Sequence, residues 1–150
     1  MRAIKYGGWR HLADICAEKM ADEIRRRGCR LDLLVPVPLH PLRYRERGFN
    51  QARLIAERLA TRIDRPVVDA LARVRTTPPQ VGLGRADRVT NVSGAFAHRT
   101  SLEASATVGL IDDVATSGAT LRAAASALIT GGTGRVIGVT FALATDRNDG

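Results

Sequence analysis

The sequence predicts an α/β protein with a parallel sheet, in one domain spanning residues 1–150. Two observations carry this. Short apolar runs of strand length alternate with segments whose apolar residues recur at helical spacing. The last third reads strand, turn, helix, strand, which is the sequence form of a βαβ unit; such units give parallel strands with a right-handed crossover. In open sheets of this kind, ligands sit at the carboxyl ends of the strands.

From Trp9 to Arg27, apolar residues at Leu12, Ile15, Cys16, Met20 and Ile24 predict a helix closed by Gly28. Leu31 to Val37 is a short apolar run ending at prolines, read as a buried strand running out into a loop. Pro38 to Gly48 is an arginine-rich segment containing Arg43, Arg45 and Arg47. Asn50 is placed to cap a helix through Ile63 with the stripe Leu54, Ile55, Leu59 and Ile63. Pro66 to Val74 has room for a short strand. Arg75 to Arg85, with two prolines and two glycines, reads as an irregular loop, and Ala86 to Asn91 as a short helix. Ala106 to Ile111 is an apolar strand, Asp113 to Ala119 a turn, Thr120 to Ile129 an alanine-rich helix stopped by Gly131 and Gly132, and Arg135 to Ala144 a second strand.

Composition narrows the function classes. The formal charge is +8, and every basic residue except Lys5 and Lys19 is arginine, the side chain whose planar fork of donors suits phosphate and carboxylate. The excess points to anionic partners without choosing among nucleic acid, a phosphorylated small molecule and an acidic protein. A hydrophobic share of 45% argues against disorder. Cys16 and Cys29 form no C-x-x-C pair, so they read as free thiols in a reducing compartment rather than zinc ligands. No apolar run spans a membrane and no signal pattern opens the chain, which predicts a cytoplasmic protein.

The chemistry concentrates in Val108-Gly109-Leu110-Ile111-Asp112-Asp113-Val114-Ala115-Thr116-Ser117-Gly118-Ala119-Thr120. Small residues after the strand let a ligand approach the backbone, and successive amides in such a turn form a nest for an anion. The helix that follows adds the partial positive charge of its N-terminus. Hydroxyls of Thr116, Ser117 and Thr120 are further donors. A compact monophosphate suits this cup. The adjacent carboxylates of Asp112 and Asp113 would repel it unless they accept sugar hydroxyls or face a hydrated Mg²⁺. Ribose 5-phosphate offers hydroxyls at one end and phosphate at the other. An isolated Asp-Asp pair would read as a solvated turn; the strand before and helix after this one set it apart.

That string resembles the signature of the type I phosphoribosyltransferases. Further segments resemble the ComF-type competence family: Lys5-Tyr6-Gly7-Gly8, Val35-Pro36-Val37-Pro38-Leu39-His40, Arg47-Gly48-Phe49-Asn50-Gln51, Arg73-Val74-Arg75-Thr76-Thr77-Pro78-Pro79-Gln80, then Arg88, Asn91 and Gly94-Ala95-Phe96. The resemblance implies a mostly parallel central sheet flanked by helices, with a small flexible hood or loop region corresponding to part of Arg75 to Arg88. It also implies that Asp112 and Asp113 hold the ribose hydroxyls and help place Mg²⁺, with the loop Ala115, Thr116, Ser117, Gly118, Ala119, Thr120 cradling the 5-phosphate of phosphoribosyl pyrophosphate. The loop Pro38, Leu39, His40, Pro41, with Arg43, Arg45 and Arg47 nearby, would hold pyrophosphate. Gln80 and Arg88 match a Gln and Arg of the amidophosphoribosyltransferases and are candidate ligand contacts. The chemistry implied is displacement of pyrophosphate from the sugar by a nitrogen nucleophile, with no protein nucleophile. Many members of the family carry an N-terminal cysteine-rich zinc segment, and the chain is read as lacking it. Ser117 stands where Thr is more frequent and keeps the hydroxyl.

Several residues carry two readings. His40 is a pyrophosphate contact or a surface histidine, Asn50 a helix cap or a ligand contact, and the three arginines a pyrophosphate site or a solvated run. Phe49 is read as packing its helix onto the sheet rather than stacking on a base. Three functions remain open. The first is a working phosphoribosyltransferase. The second is a non-catalytic phosphoribosyl pyrophosphate-binding module in DNA uptake or regulation, with single-stranded DNA or a helicase-like protein as partner. The third is a plain nucleic-acid binder, which leaves Asp112 and Asp113 without a role because carboxylates oppose phosphate backbones. Homo-oligomers through an edge strand or the first helix are compatible with all three.

Overall fold

In a computed structural model of the protein, which describes residues 2–75, 94–115 and 117–143, a parallel three-stranded sheet runs in the order β1 (Leu33–Pro36), β4 (Thr107–Ala115), β5 (Arg135–Leu143). Helices α1 (Arg2–Arg26) and α3 (Gln51–Ile63) pack on one face. Helix α4 (Ala119–Thr130) and an antiparallel ribbon of β2 (Leu71–Arg73) and β3 (Phe96–His98) cover the other. A short helix α2 (Pro41–Arg47) links β1 to α3.

β1 and the first part of β4 are apolar because both of their faces are buried, whereas β5 is half-buried to exposed. The pleat sends alternate side chains to opposite layers. Leu34 and Ile111 enter the core under α1 and α3, whereas Val35, Val108 and Leu110 enter the core under α4 and the ribbon. Gly109 lies on the α1 and α3 side, where a Cβ would fall 2.8 Å from both Leu31 and Leu34, so its missing side chain lets those leucines lie against the strand. The start of β4 is tied to the residue before β1 by a reciprocal pair, Asp32 N to Thr107 O at 2.9 Å and Thr107 N to Asp32 Oδ2 at 2.7 Å.

Several sequence expectations change. The buried stripe of α1 is Ala13, Cys16, Ala17, Met20, Ala21 and Ile24, while Leu12 and Ile15 are 39% and 38% exposed. Alanines face α3 because small side chains let two helices approach closely; Ala56 answers them from the other helix. The arginine-rich segment contains a helix, with Pro41 at its first turn and His40 as its cap. Asn50 occupies the N-cap position of α3 but makes no cap bond; its Nδ2 donates to Val37 O at 2.9 Å and fastens the loop after β1. The α3 stripe of Leu54, Ile55 and Leu59 is buried, and Phe49 packs against the same core with its ring 6.0 Å from that of Trp9. Cys16 is buried and Cys29 half-buried, both as free thiols. The strand expected within Pro66 to Val74 is β2, and its partner β3 was not foreseen. The loop expected from Arg75 to Arg85 continues beyond the described residues after Arg75, and the short helix at Ala86 to Asn91 lies outside them.

The largest correction is at β4. The turn expected over Asp113 to Ala119 is shorter, because the strand continues through both aspartates to Ala115. Parallel pairing with β5 carries it: Asp112 lies opposite Thr140, Val114 opposite Ala142 and Ala115 opposite Leu143. The Thr140 hydroxyl donates to Asp113 O at 3.1 Å.

Candidate functional site

The carboxyl ends of β1 and β4 are level, since Pro36 pairs with Ile111 and Val37 N donates to Ile111 O at 2.9 Å. The loop after β1 therefore leaves the sheet beside Asp112. Its residues Pro38, Leu39 and His40 are half-buried. His40 has a local role: its Nδ1 accepts from Leu42 N at 3.3 Å and caps α2. Of the three arginines that follow, Arg43 is half-buried, while Arg45 and Arg47 are exposed and Arg47 donates to Gln51 Oε1 at 3.2 Å.

Asp112 and Asp113 are both half-buried at the end of β4. Asp113 N donates to Asp112 Oδ1 at 2.9 Å and Val114 N donates to Asp113 Oδ1 at 2.8 Å. The pleat continues through them. Asp112 belongs to the series Val108, Leu110 facing α4 and the ribbon, and it interacts with Arg73 of β2; Asp113 follows Ile111 and lies close enough to help raise the Cys16 thiol pKa, which burial pushes up first. Loss of water around Asp112, then the charge of Asp113, pushes the Asp112 carboxyl up to about 7, against a weaker opposing pull from Arg73.

Past the strand, Gly118 stands at the N-cap of α4 with φ of 71°, a left-handed conformation that glycine adopts without strain. Arg122 folds back over it: Nη2 donates to Ser117 O at 2.9 Å, and a Cβ on Gly118 would fall 3.1 Å from Nη1. Ser117 Oγ accepts from Ala119 N at 3.3 Å, so the hydroxyl expected to meet phosphate closes the turn. Ala115 belongs to the strand, buried, rather than to the cradle; Ala119 and Thr120 open the helix; Thr116 lies outside the described residues, as do Gln80 and Arg88. A groove of about 560 Å³ between β3 and α4, bordered by Phe96, His98, Ala119 and Arg122, adjoins the turn.

One site residue was missed from sequence. Arg73, half-buried, sits with its guanidinium 5.4 Å from the Phe96 ring centre, and its own pKa is lowered by burial and then by Arg43, with Asp112 opposing. Its signal in the sequence was a cation two residues beyond buried Leu71, at the period of a strand whose inner face is apolar.

Two adjacent carboxylates, one with its pKa raised by burial and then by the other's charge, suit a hard divalent cation, whose charge would offset both. Among the described residues no cluster of three or more His, Cys, Asp or Glu side chains could hold a metal. A Mg²⁺ ion taken by Asp112 and Asp113 would draw its other oxygens from water or a bound phosphate, which is this ion's habit.

The sequence is 38% identical over 93 residues to Competence protein F of Haemophilus influenzae, an alignment covering 60% of this chain and 41% of that protein. It is 38% identical over 97 residues to Competence protein ComFC of Bacillus subtilis, covering 65% and 38% respectively. Over these stretches the chain is similar to competence proteins of the ComF type. It spans about two fifths of the length of these ComF-type relatives. No family model matches it. Its α/β fold, a parallel sheet flanked by helices, is consistent with the type I phosphoribosyltransferase fold expected for a ComF-type chain. Among the described residues no helix is long and apolar enough to cross a membrane.

Proposed function

We propose that this chain is the sugar-phosphate-binding domain of a protein acting in competence, and that its site takes phosphoribosyl pyrophosphate with Mg²⁺. The single observation behind the reading is the Asp112–Asp113 pair, half-buried near the carboxyl end of β4, with Gly118 and the N-terminus of α4 following a few residues later in the chain. The carboxylates suit ribose hydroxyls and a metal; the turn suits the 5-phosphate. Bound Mg²⁺ would neutralise charge on the pyrophosphate. The names of the two relatives favour a binding role in DNA uptake over transfer to a nitrogen acceptor. Release of pyrophosphate on addition of an acceptor would instead favour the transferase.

Thermal unfolding with and without Mg²⁺ and phosphoribosyl pyrophosphate tests binding. Ligand at about 100 times its Kd adds roughly 2.7 kcal/mol, and for a domain of this size each kcal/mol raises Tm by about 2–4 °C. The expected result is a ligand-dependent rise in the wild type that Asp112→Asn abolishes. An unchanged wild-type Tm at millimolar ligand would overturn the reading.

A further inference from the structure

The two edges of the parallel sheet are finished differently. At β1 the edge is closed by chain: Leu34 N donates to Pro66 O and Val68 N donates to Leu34 O, each at 2.8 Å. β1 is also four residues long and ends in Pro36, which cannot donate to a ladder. At the other edge β5 runs for nine residues, and among the described residues it pairs only with β4. The register of that pairing is regular from Thr107 opposite Arg135 to Ala115 opposite Leu143, without a bulge. β5 contains no proline and no lysine, and its one charge, Arg135, stands at the first position. Natural edge strands are blunted by shortness, proline, inward charge, bulges or a covering element. Among the described residues β5 has none of these, so its outward amides and carbonyls are a template for a further strand.

The side chains beside this edge are apolar. Ile137 and Val139 pack, half-buried, on the core under α1, and Phe141, on their side of the pleat, is 43% exposed. Between them and α1 lies a trough of about 380 Å³, bordered by Met20, Ile24 and Leu31. Leu12, Ile15, Lys19 and Glu23 follow one flank of α1 at helical spacing, and the last two line the same trough. The exposed Leu12 and Ile15 therefore continue the apolar surface along the helix. We propose that this face joins a second copy of the chain, with β5 pairing antiparallel to β5 of the partner subunit about Val139. That register pairs all nine residues. It sets Ile137 opposite Phe141 of the partner subunit and Val139 opposite Val139 of the partner subunit, both favourable cross-strand pairs. Arg135 falls opposite Leu143 of the partner subunit, so the two like charges stand roughly 27 Å apart along the strand. The edge is about 30 Å long and its helix and sheet layers about 20 Å tall, so the face covers roughly 600 Å² a side, approaching the ~800 Å² per partner of a standard interface.

Sedimentation velocity of the full chain over a concentration series tests it. The wild type should pass from monomer to a species of twice the mass. Phe141→Lys should weaken that dimer at least ~10-fold, because the symmetry removes the aromatic anchor twice. Val139→Lys should do the same by setting like charges directly opposite each other. Phe141 is the more exposed of the two, so its variant reports even where Val139→Lys fails to fold. Ile129→Lys, at a 56% exposed position of α4 on the other side of the sheet, should change the dimer less than ~2-fold. A wild type still monomeric at ~200 μM would overturn the proposal, since an interface approaching standard size holds at about micromolar Kd or tighter. The edge would then be left to an extended peptide of another protein. A dimer that resists Phe141→Lys, or that Ile129→Lys weakens equally, would overturn the β5 interface. The measurement uses no ligand, so its outcome is independent of the sugar-phosphate reading.

Discussion

The two halves of β4 obey different rules. From Val108 to Ile111 the strand is a packing element: Val108, Leu110 and Ile111 are fully buried, and Gly109 makes room for two leucines. From Asp112 to Val114 the same strand, in the same hydrogen-bonded register with β5, carries two half-buried carboxylates and a valine that is 45% exposed. One backbone ladder therefore supplies both a rigid anchor and a charged mouth. A carboxylate held there keeps its position because the strand below it cannot move, and it bears a desolvation cost because the core is only one residue away.

The widest break in this comparison comes from the anchored half. Leu110→Ala or Ile111→Ala should lose about 2–5 kcal/mol of stability in equilibrium denaturation, as buried large-to-small changes do. A loss under 1 kcal/mol would mean that this half is not the anchor.

In the charged half the sign reverses. The folded protein keeps Asp112 protonated up to about 7, whereas its ordinary value is 3.8. Between those values folding takes up a proton, so this group subtracts stability as pH rises through the window. Asp112→Asn removes the ionisation and should raise stability by roughly 1–3 kcal/mol at pH 7.5, a fraction of the full shift because Arg73 and solvent offset part of it. The gain should fade toward zero at pH 4. Denaturation midpoints of both proteins across pH 4 to 8 measure it, and a gain independent of pH would point to packing instead. The same variant loses the proposed ligand, so stability and binding should move in opposite directions.

A smaller effect sharpens the boundary between the halves. Asn50→Ala leaves Val37 O without its 2.9 Å partner and should cost about 1 kcal/mol. The loop it loosens adjoins Asp112, so the ligand-induced rise in Tm should shrink as well. The smallest effect lies away from the strand altogether. Arg53 pairs with Glu57 and Asp69 on the surface, and Arg53→Ala should change stability by less than ~1 kcal/mol and leave ligand binding alone.

Much of this was legible from residues in order. The stripe Leu54, Ile55, Leu59 located α3, the run from Ala106 to Ile111 located the start of β4, and Gly131 with Gly132 marked the end of α4. These are local rules: helical spacing, strand-length apolar runs and glycine stops depend on neighbours in the chain. The aspartate pair was likewise readable as the candidate site, because strand, small-residue turn and helix stand in sequence around it.

Tertiary structure decided the rest. Leu12 and Ile15 satisfy helical periodicity, yet the alanines face α3, because how closely two helices approach is a property of both. Asn50 had a cap's position, but a carbonyl thirteen residues earlier in the chain took its amide. Asp113 and Ala115 resembled turn residues until pairing with β5 extended the strand through them. Arg73 meets Asp112 and Arg43 only because a ribbon folds over the sheet end. The sequence by itself determined which segments form elements and which residues carry charge. Long-range pairing alone decided which charges share a site, because that depends on distances between segments far apart in the chain.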